Sequence, residues 1–447
     1  MAETTPTTEA SRGSEVRKKA LVVGAGFAGA VVARELADTG DWDVLVIDAR
    51  NHVAGNAFDY VNELGIRVHK YGPHLWHGNS DIAQEWASRF TEWVPYKHYV
   101  TAQLPDGQHV PLPINAKTIM EVFGQEFHNF AMSKPEYWAY QDEDIADGIG
   151  YLPLAFEAFM EQQRVKYEAV TNSREHVESS VGKRLCELFF APYTKKMWGM
   201  DLADLPTSVA ARIPTKTDSD KYYFPKDKYQ FIPKDGYTAL ITKALDHPNI
   251  TVKLCTKRQE LMQYAGSYEY PYVISTGWDN VKFDAVFTSE PIDTYYNCDL
   301  GELPWRSIKC HTYNVPVPKL LDAPVVNFTH DGPHTRATEW KQIPGHDFPD
   351  YARDEYSSSK YWTTITVEEP CDYRDNNMER YYPVKTSHVI DPNRELYKQY
   401  RDRAKKDGIH FIGRCGRYVY TDMMPCINST LAQVGRFLSG DTIPSED

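Results

Sequence analysis

Gly24, Gly26 and Gly29 break the apolar run of residues 21–30 at a spacing that suits a pyrophosphate. Gly24 lets the chain turn sharply. Gly26 leaves room for a phosphate to approach the backbone, and Gly29 lets a helix pack closely on a strand. Phe27 lies in the turn that leads into a helix-like stretch, residues 30–36, whose unpaired N–H groups and dipole face the anion. A second apolar run, residues 44–47, ends in Asp48. An acid about 20 residues beyond the glycines is placed to hold a ribose hydroxyl. The pattern takes an adenine dinucleotide. No metal chemistry is expected, because the seven Cys form no C-x-x-C pair and no His cluster has ligand spacing.

The rest of the chain must position these groups. Its 447 residues are enough for two or three domains with their own cores. With 42% hydrophobic and 25% charged residues it reads as an ordinary globular protein. A net charge of −13 argues against nucleic acid as a partner, so an anionic substrate has to meet a local cluster of Arg and Lys. Thirty Tyr and ten Trp suit a site that orients phosphates through phenol hydroxyls. Scattered cysteines suggest reduced thiols and a cytoplasmic location. Residues 1–16 read as a disordered polar tail rather than a signal peptide, and no apolar run reaches the roughly 18 residues that span a bilayer.

Strand signals at residues 18–23 and 44–47 flank the glycine turn. A hairpin is expected around Pro105-Asp-Gly107, helices over 116–204, a helix at 236–246, and strands at 250–254, 272–276, 285–288 and 410–413. Residues 307–366 alternate apolar and polar in short runs, as in an antiparallel sheet. A terminal helix covers about 425–438. The fold class is therefore α/β: a Rossmann-like FAD-binding domain with a helical insertion and an antiparallel β-sheet domain. The expected division gives 17–78, 231–290 and 404–447 to the FAD domain, and 79–92 with 117–206 to the helical domain. It gives 93–116, 207–230 and 291–403 to a substrate domain whose residues 207–230 form a mobile loop.

Several segments in order resemble the bacterial-type UDP-galactopyranose mutase family. Arg50-Asn-His-Val-Ala-Gly-Asn-Ala57 resembles the family's loop after the second strand, with Gly55 and Asn56 in its glycine-asparagine position. Tyr71-Gly-Pro-His-Leu-Trp-His-Gly-Asn79 resembles the G-P-H-[IL]-F-H-T-N segment beside the flavin. Phe190-Ala-Pro-Tyr-Thr-Lys-Lys-Met-Trp-Gly199 resembles F-x-x-Y-T-x-K-Q-W-G, and Ala211-Arg-Ile-Pro-Thr-Lys216 the start of the mobile loop. Thr335-Arg-Ala-Thr-Glu-Trp-Lys341 resembles T-R-x-x-E-x-K, and Tyr381-Tyr-Pro383 the tyrosines that meet phosphate. The likeness spans about residues 18–438.

The resemblance implies interconversion of the pyranose and furanose forms of a nucleotide-diphosphate sugar, UDP-galactose by default. It implies FAD reduced by NAD(P)H or another donor. Flavin nitrogen-5 then attacks the anomeric carbon, and the sugar ring opens through a flavin iminium. Arg336 is the implied stabiliser of the leaving diphosphate, with Lys216 as the loop cation and His74 and His77 beside the flavin ring. Cofactor contacts carried over are Arg50, Gly55, Asn56, Gly72, His74, Arg414, Asp422 and Met423. Substrate contacts are Tyr193, Trp198, Arg212, Lys216, Tyr223, Arg336, Tyr382 and Tyr418. A homodimer is an open option.

The chain also departs from the pattern. Lys216 stands where the family has arginine, and Lys lacks the bidentate fork. Gly78 replaces threonine, Val419 a basic residue, Met424 aspartate and Pro425 glutamine, while Ser289-Glu290 replaces T-G. The expectation is that Met424 bears on which sugar fits. An FAD oxidase or dehydrogenase on the same scaffold, a mutase for another nucleotide sugar, and a non-catalytic nucleotide-binding homologue are the competing readings.

Overall fold

The computed structural model describes residues 17–134, 152–210, 220–264, 272–275, 280–348, 359–384, 386 and 391–441. Its first sheet is five-stranded and wholly parallel, in the order Ile250–Lys253, Trp42–Ile47, Lys18–Val23, Ala285–Thr288, Ile409–Phe411. A parallel sheet buries both faces, which is why its inner strands read as unbroken apolar runs. Ala20, Val22, Val44 and Val46 pack under the helices Phe27–Asp38, Gly236–Leu245 and Met423–Ser439. Leu21, Val23, Ile47 and Val286 face the other side, against Tyr295, Tyr400 and Phe411.

The glycine turn sits where the central strand meets its helix. Gly24 has φ of +106°, and a Cβ there would come within 2.0 Å of Ser289 Oγ. A Cβ at Gly29 would lie 1.8 Å from the Gly24 carbonyl oxygen. Both positions therefore require glycine.

The second sheet has seven strands in the order Tyr382–Pro383, Trp305–Val315, Thr363–Asp372, Arg336–Glu339, Val325–Phe328, Val100–Gln103, His109–Leu112. All neighbours are antiparallel except Val325–Phe328 beside Val100–Gln103. The two outermost strands at that end form the hairpin expected around Pro105-Asp-Gly107. A small antiparallel sheet joins Trp76–Gly78 and Trp93–Pro95 to the two edges of Tyr229–Pro233. It fixes the two-histidine segment against the chain that follows the polar loop.

The helices Ala116–Met132, Leu152–Gln163 and Ser173–Leu185 share a core rich in phenylalanine, including Phe123, Phe127, Phe156, Phe159 and Phe189. A last helix, Ala191–Trp198, leaves this bundle and lies against the seven-stranded sheet. Arg306 donates to the carbonyls of Met197 (3.0 Å) and Lys196 (3.2 Å) at the end of that helix. Lys196 Nζ donates to the carbonyls of Phe328 and His330, both at 2.8 Å. These cation-to-carbonyl bonds satisfy groups that a helix end and a strand end leave open.

Replacing Gly29 by alanine should destabilise the protein despite alanine's better helix propensity, because the added methyl meets backbone. The expected loss is about 1–3 kcal/mol, the usual cost of overpacking, read as a lower urea midpoint with unchanged slope.

Candidate functional site

A cavity of about 730 Å³ opens between the helix Ala191–Trp198, the seven-stranded sheet, the segment around His74 and residues 414–423, which follow the last parallel strand. Arg336 enters it from a strand next to the one that carries Glu368. Arg336 Nε donates to Glu368 Oε1 at 2.7 Å, and Glu368 is fully buried. Burial is the largest single influence and would lower the guanidinium pKa, but the Glu368 charge and hydrogen bond together with the Tyr193 and Tyr382 phenols outweigh it and hold the group well above its ordinary value. Gly72, at φ +82°, crosses this pair so closely that a Cβ there would lie 3.0 Å from Glu368 Oε1.

Phenols surround the guanidinium. Tyr193, Tyr223, Tyr382 and Tyr420 line the cavity with Trp198, whose ring centroid lies 6.0 Å from Tyr382 and 6.3 Å from Tyr420. Burial pushes the Tyr193, Tyr223 and Tyr382 phenols upward, so each keeps its proton and can donate to an anion. Arg414 donates to the Thr421 carbonyl and its guanidinium carbon sits 5.2 Å from the Tyr420 ring centre. A second permanent cation therefore faces the same space.

Three histidines line the opposite wall. His74 Nδ1 meets the Gly72 carbonyl at 2.9 Å, and burial pushes its pKa down to about 4. His77 stacks on Phe224 with centroids 3.7 Å apart and directs Nδ1 to Asp227 Oδ2 at 2.8 Å. His98 meets the Tyr96 hydroxyl through Nδ1 at 2.9 Å, and burial lowers its pKa to about 3. Behind His74, its backbone N–H donates to His69 Nδ1, and His69 Nε2 lies 3.0 Å from His346 Nε2. This buried pair fixes the turn that carries His74.

The dinucleotide expectation can be tested on the glycine loops. A Cβ on Gly26 would come within 3.5 Å of Gly55 Cα, and Gly413, at φ +68°, faces Ala28 at 2.9 Å by the same measure. Three distant segments therefore converge in a cradle on the N-terminus of the helix Phe27–Asp38, and the left-handed backbones of Gly55 and Gly413 favour glycine there. Asp48 braces it, accepting from the backbone N–H of Ala25 (2.8 Å) and Arg50 (2.9 Å). Arg50 reaches Asn56 Oδ1 at 3.0 Å, pairs with Glu379 and lies over the Tyr71 ring. Phe27 buries its ring against Trp76 and Tyr237, so its contribution to a phosphate is its backbone N–H. The residues fit a pyrophosphate-linked dinucleotide running from this cradle toward His74, Asp422 and Met423, which line the cavity.

Some expected residues fall elsewhere. Arg212 and Lys216 lie outside the described residues. Tyr418 does not line the cavity. Its hydroxyl donates to the carbonyls of Pro304 (2.9 Å) and Val384 (2.8 Å), and its ring packs edge-on to Trp305. Its backbone sits at φ +49°, so the chain turns there and brings Tyr420 to the wall instead. Met424 is also turned from the cavity. It is 2% exposed, and a Cβ on Gly78 would come within 2.9 Å of its sulfur. Its effect on sugar choice is thus not a direct contact, and the Gly78 and Met424 departures form one packing arrangement. Glu290 likewise serves an ion pair, with Arg258 at 2.8 Å. Sequence reasoning missed His98, Asp227, Glu368 and Tyr420. Of these, only Glu368 carried a signal, a carboxylate amid a β-branched strand.

The architecture defines a class: a Rossmann-type nucleotide-binding enzyme whose substrate cavity lies between its dinucleotide cradle and an antiparallel sheet. Comparison narrows the class. Residues 22–91 match the family described as NAD(P)-binding Rossmann-like domain, and residues 188–420 match the family described as UDP-galactopyranose mutase. A probable UDP-galactopyranose mutase of Klebsiella pneumoniae is 31% identical over 425 residues, 94% of this chain and 95% of the relative. A dTDP-fucopyranose mutase of Escherichia coli is 31% identical over 422 residues, 92% of this chain and 96% of the relative. The crystal structure of a reduced UDP-galactopyranose mutase superposes with a TM-score of 0.66 at 15% identity, over 95% of this chain and 96% of that one. The chain belongs to the UDP-galactopyranose mutase family, and is an isomerase. Among the described residues no helix is long and apolar enough to cross a membrane.

Two predictions follow from this geometry. His98 and His346 are neutral and buried when folded but take up protons near pH 6.5 when unfolded, so acid favours the unfolded chain. Stability should be full above pH 6.5 and fall as the pH drops, to about pH 4 for His346 and about pH 3 for His98, by on the order of 3 and 5 kcal/mol respectively at the acid limit, measured by urea unfolding across that window. Tyr418→Phe should cost about 1–2 kcal/mol of stability with turnover nearly unchanged, whereas Tyr420→Phe should impair turnover.

Proposed function

We propose that this protein interconverts the pyranose and furanose forms of a nucleotide-linked sugar, with FAD as its cofactor. The observation that carries the reading is Arg336, held by a buried carboxylate and ringed by protonated phenols in a cavity that continues to the dinucleotide cradle. UDP-galactose and dTDP-fucose are the candidate substrates, by analogy with the two relatives of equal identity.

Reduced FAD, when bound, would supply a nucleophilic nitrogen to the anomeric carbon. The Gly24, Gly26, Gly55 and Gly413 backbones and Asp48 would hold its adenine dinucleotide, and His74 and Met423 would flank its ring. The protein's own task is charge control. As the anomeric carbon–oxygen bond lengthens, negative charge grows on the departing diphosphate. Arg336 is already oriented to receive it, so no reorganisation is needed at that moment. Tyr193, Tyr223 and Tyr382 add O–H donors, and Arg414 a second cation. Trp198 walls the sugar side and limits water. His74 stays neutral at physiological pH, with a proton on Nδ1 and a lone pair on Nε2 toward the cavity, so it can accept a hydrogen bond there. Retention of the diphosphate between ring opening and reclosure then rests on the same arginine and phenols.

The test is to reduce the flavin with dithionite and incubate the enzyme with UDP-galactopyranose and dTDP-fucopyranose, separating products by chromatography. A furanose from either supports the reading. Peroxide release from an amine or alcohol, without either furanose, would replace it with an oxidase. Arg336→Ala should lower kcat by about 100- to 1000-fold while flavin occupancy is retained, and Arg336→Lys should recover only part of the loss because lysine cannot keep both Glu368 and a phosphate in a planar fork.

A further inference from the structure

His74, His77 and His98 share one arrangement. Each ties Nδ1 to the protein and lines the cavity, and Nε2 of each has no protein partner among the described residues. The three partners differ in a way that fixes where the protons are. Gly72 presents a carbonyl and Asp227 a carboxylate, both acceptors only. His74 and His77 therefore carry hydrogen on Nδ1, and their Nε2 atoms offer lone pairs when neutral.

His98 faces a hydroxyl instead. Tyr96 is 9% exposed, and His98 Nδ1 is its hydroxyl's one hydrogen-bond partner among the described residues. If that hydroxyl accepted from Nδ1, its own hydrogen would be buried without an acceptor, which is unfavourable. The favourable arrangement is Tyr96 O–H donating to Nδ1, which leaves the imidazole hydrogen on Nε2. Burial pushes the Tyr96 phenol upward and the His98 imidazole down to about 3, so the phenol keeps its proton and the imidazole stays neutral.

We propose that Tyr96 sets His98 in the Nε2–H tautomer, and that this N–H donates a hydrogen bond to an oxygen of the ligand's sugar. The inference rests on the nucleotide-sugar reading above. The transferred sugar carries neutral oxygens able to be donor and acceptor at once, as the nucleoside's pentose does, and comparison with the free nucleotide separates the two. The His98 N–H matches such an oxygen, whereas the diphosphate is served by Arg336 and the phenols. Tyr96 acts through His98 and is a positioning residue.

The tautomer can be read without ligand. Full-length protein with its flavin, labelled with nitrogen-15 in histidine, gives long-range proton–nitrogen correlations that distinguish Nε2–H from Nδ1–H, with His98 assigned by its loss in His98→Gln. Wild type should show Nε2–H at His98, and Tyr96→Phe should lose that fixed tautomer. An Nδ1–H signal for wild-type His98 overturns the proposal. Calorimetry with UDP-galactose against UDP, and dTDP-fucose against dTDP, tests the contact. Tyr96→Phe should weaken the preferred nucleotide sugar roughly 3- to 10-fold, the size of one neutral hydrogen bond, and leave the free nucleotide within about two-fold. Adding His98→Gln to Tyr96→Phe should give little further loss, as for two members of one unit. Equal weakening of sugar and free nucleotide overturns the sugar contact. If neither sugar adds affinity over its nucleotide while wild-type His98 is Nε2–H, the nucleotide-sugar reading fails and takes the contact with it, and the Tyr96-set tautomer stands.

Discussion

The structure turns on one pair of charges across neighbouring strands. Glu368 is fully enclosed, and an enclosed carboxylate is stable only with a partner close by. Arg336 is that partner, and in meeting the demand it loses its freedom to swing. The guanidinium keeps further N–H groups pointed into the cavity. A flexible surface arginine would have to be ordered each time an anion arrived. This one is ordered in advance by folding, and the energy of holding it there comes from the sheet.

The remaining wall is built to respect that cation. The phenols nearest to it stay protonated and add dipoles rather than charge, and His74 and His98 stay neutral. A positive centre with few competing negative charges inside an acidic protein focuses an anionic ligand into one place. The helix that supplies Tyr193 and Trp198 is itself tied down at its far end by Arg306 and Lys196, so the aromatic wall is anchored to the same sheet as the arginine.

Legibility of this arrangement in the sequence depended on range. The glycine turn was readable because its causes are local: a strand, three small residues and a helix within ten positions. The hairpin around Gly107 and the parallel strands were readable from periodicity. Arg336 and the paired tyrosines came from motif resemblance, since nothing in their neighbourhood says what they face. His98 was invisible for the same reason, and Glu368 showed only as a carboxylate amid a β-branched strand. Each acquires its meaning from a residue far along the chain or across a sheet, and alternation within a strand cannot tell a cavity from a core. Tyr418 and Met424 were misplaced by a residue or two. A left-handed backbone at Tyr418 and the helix beginning at Met423 decide which neighbour turns inward, and short turns leave little trace in composition.

The dinucleotide cradle draws its glycines from residues 24–29, 55 and 413, and its sheet ends on the strand Ile409–Phe411. During synthesis the ribosome therefore delivers the first strand and its glycine turn long before the edge strand that completes them. Nascent chain emerging in between holds apolar strand surface that the strand Ile409–Phe411 and the helix Met423–Ser439 later cover. Assembly of this unit is necessarily a late, whole-chain event, and a prematurely terminated product lacks one side of its coenzyme pocket.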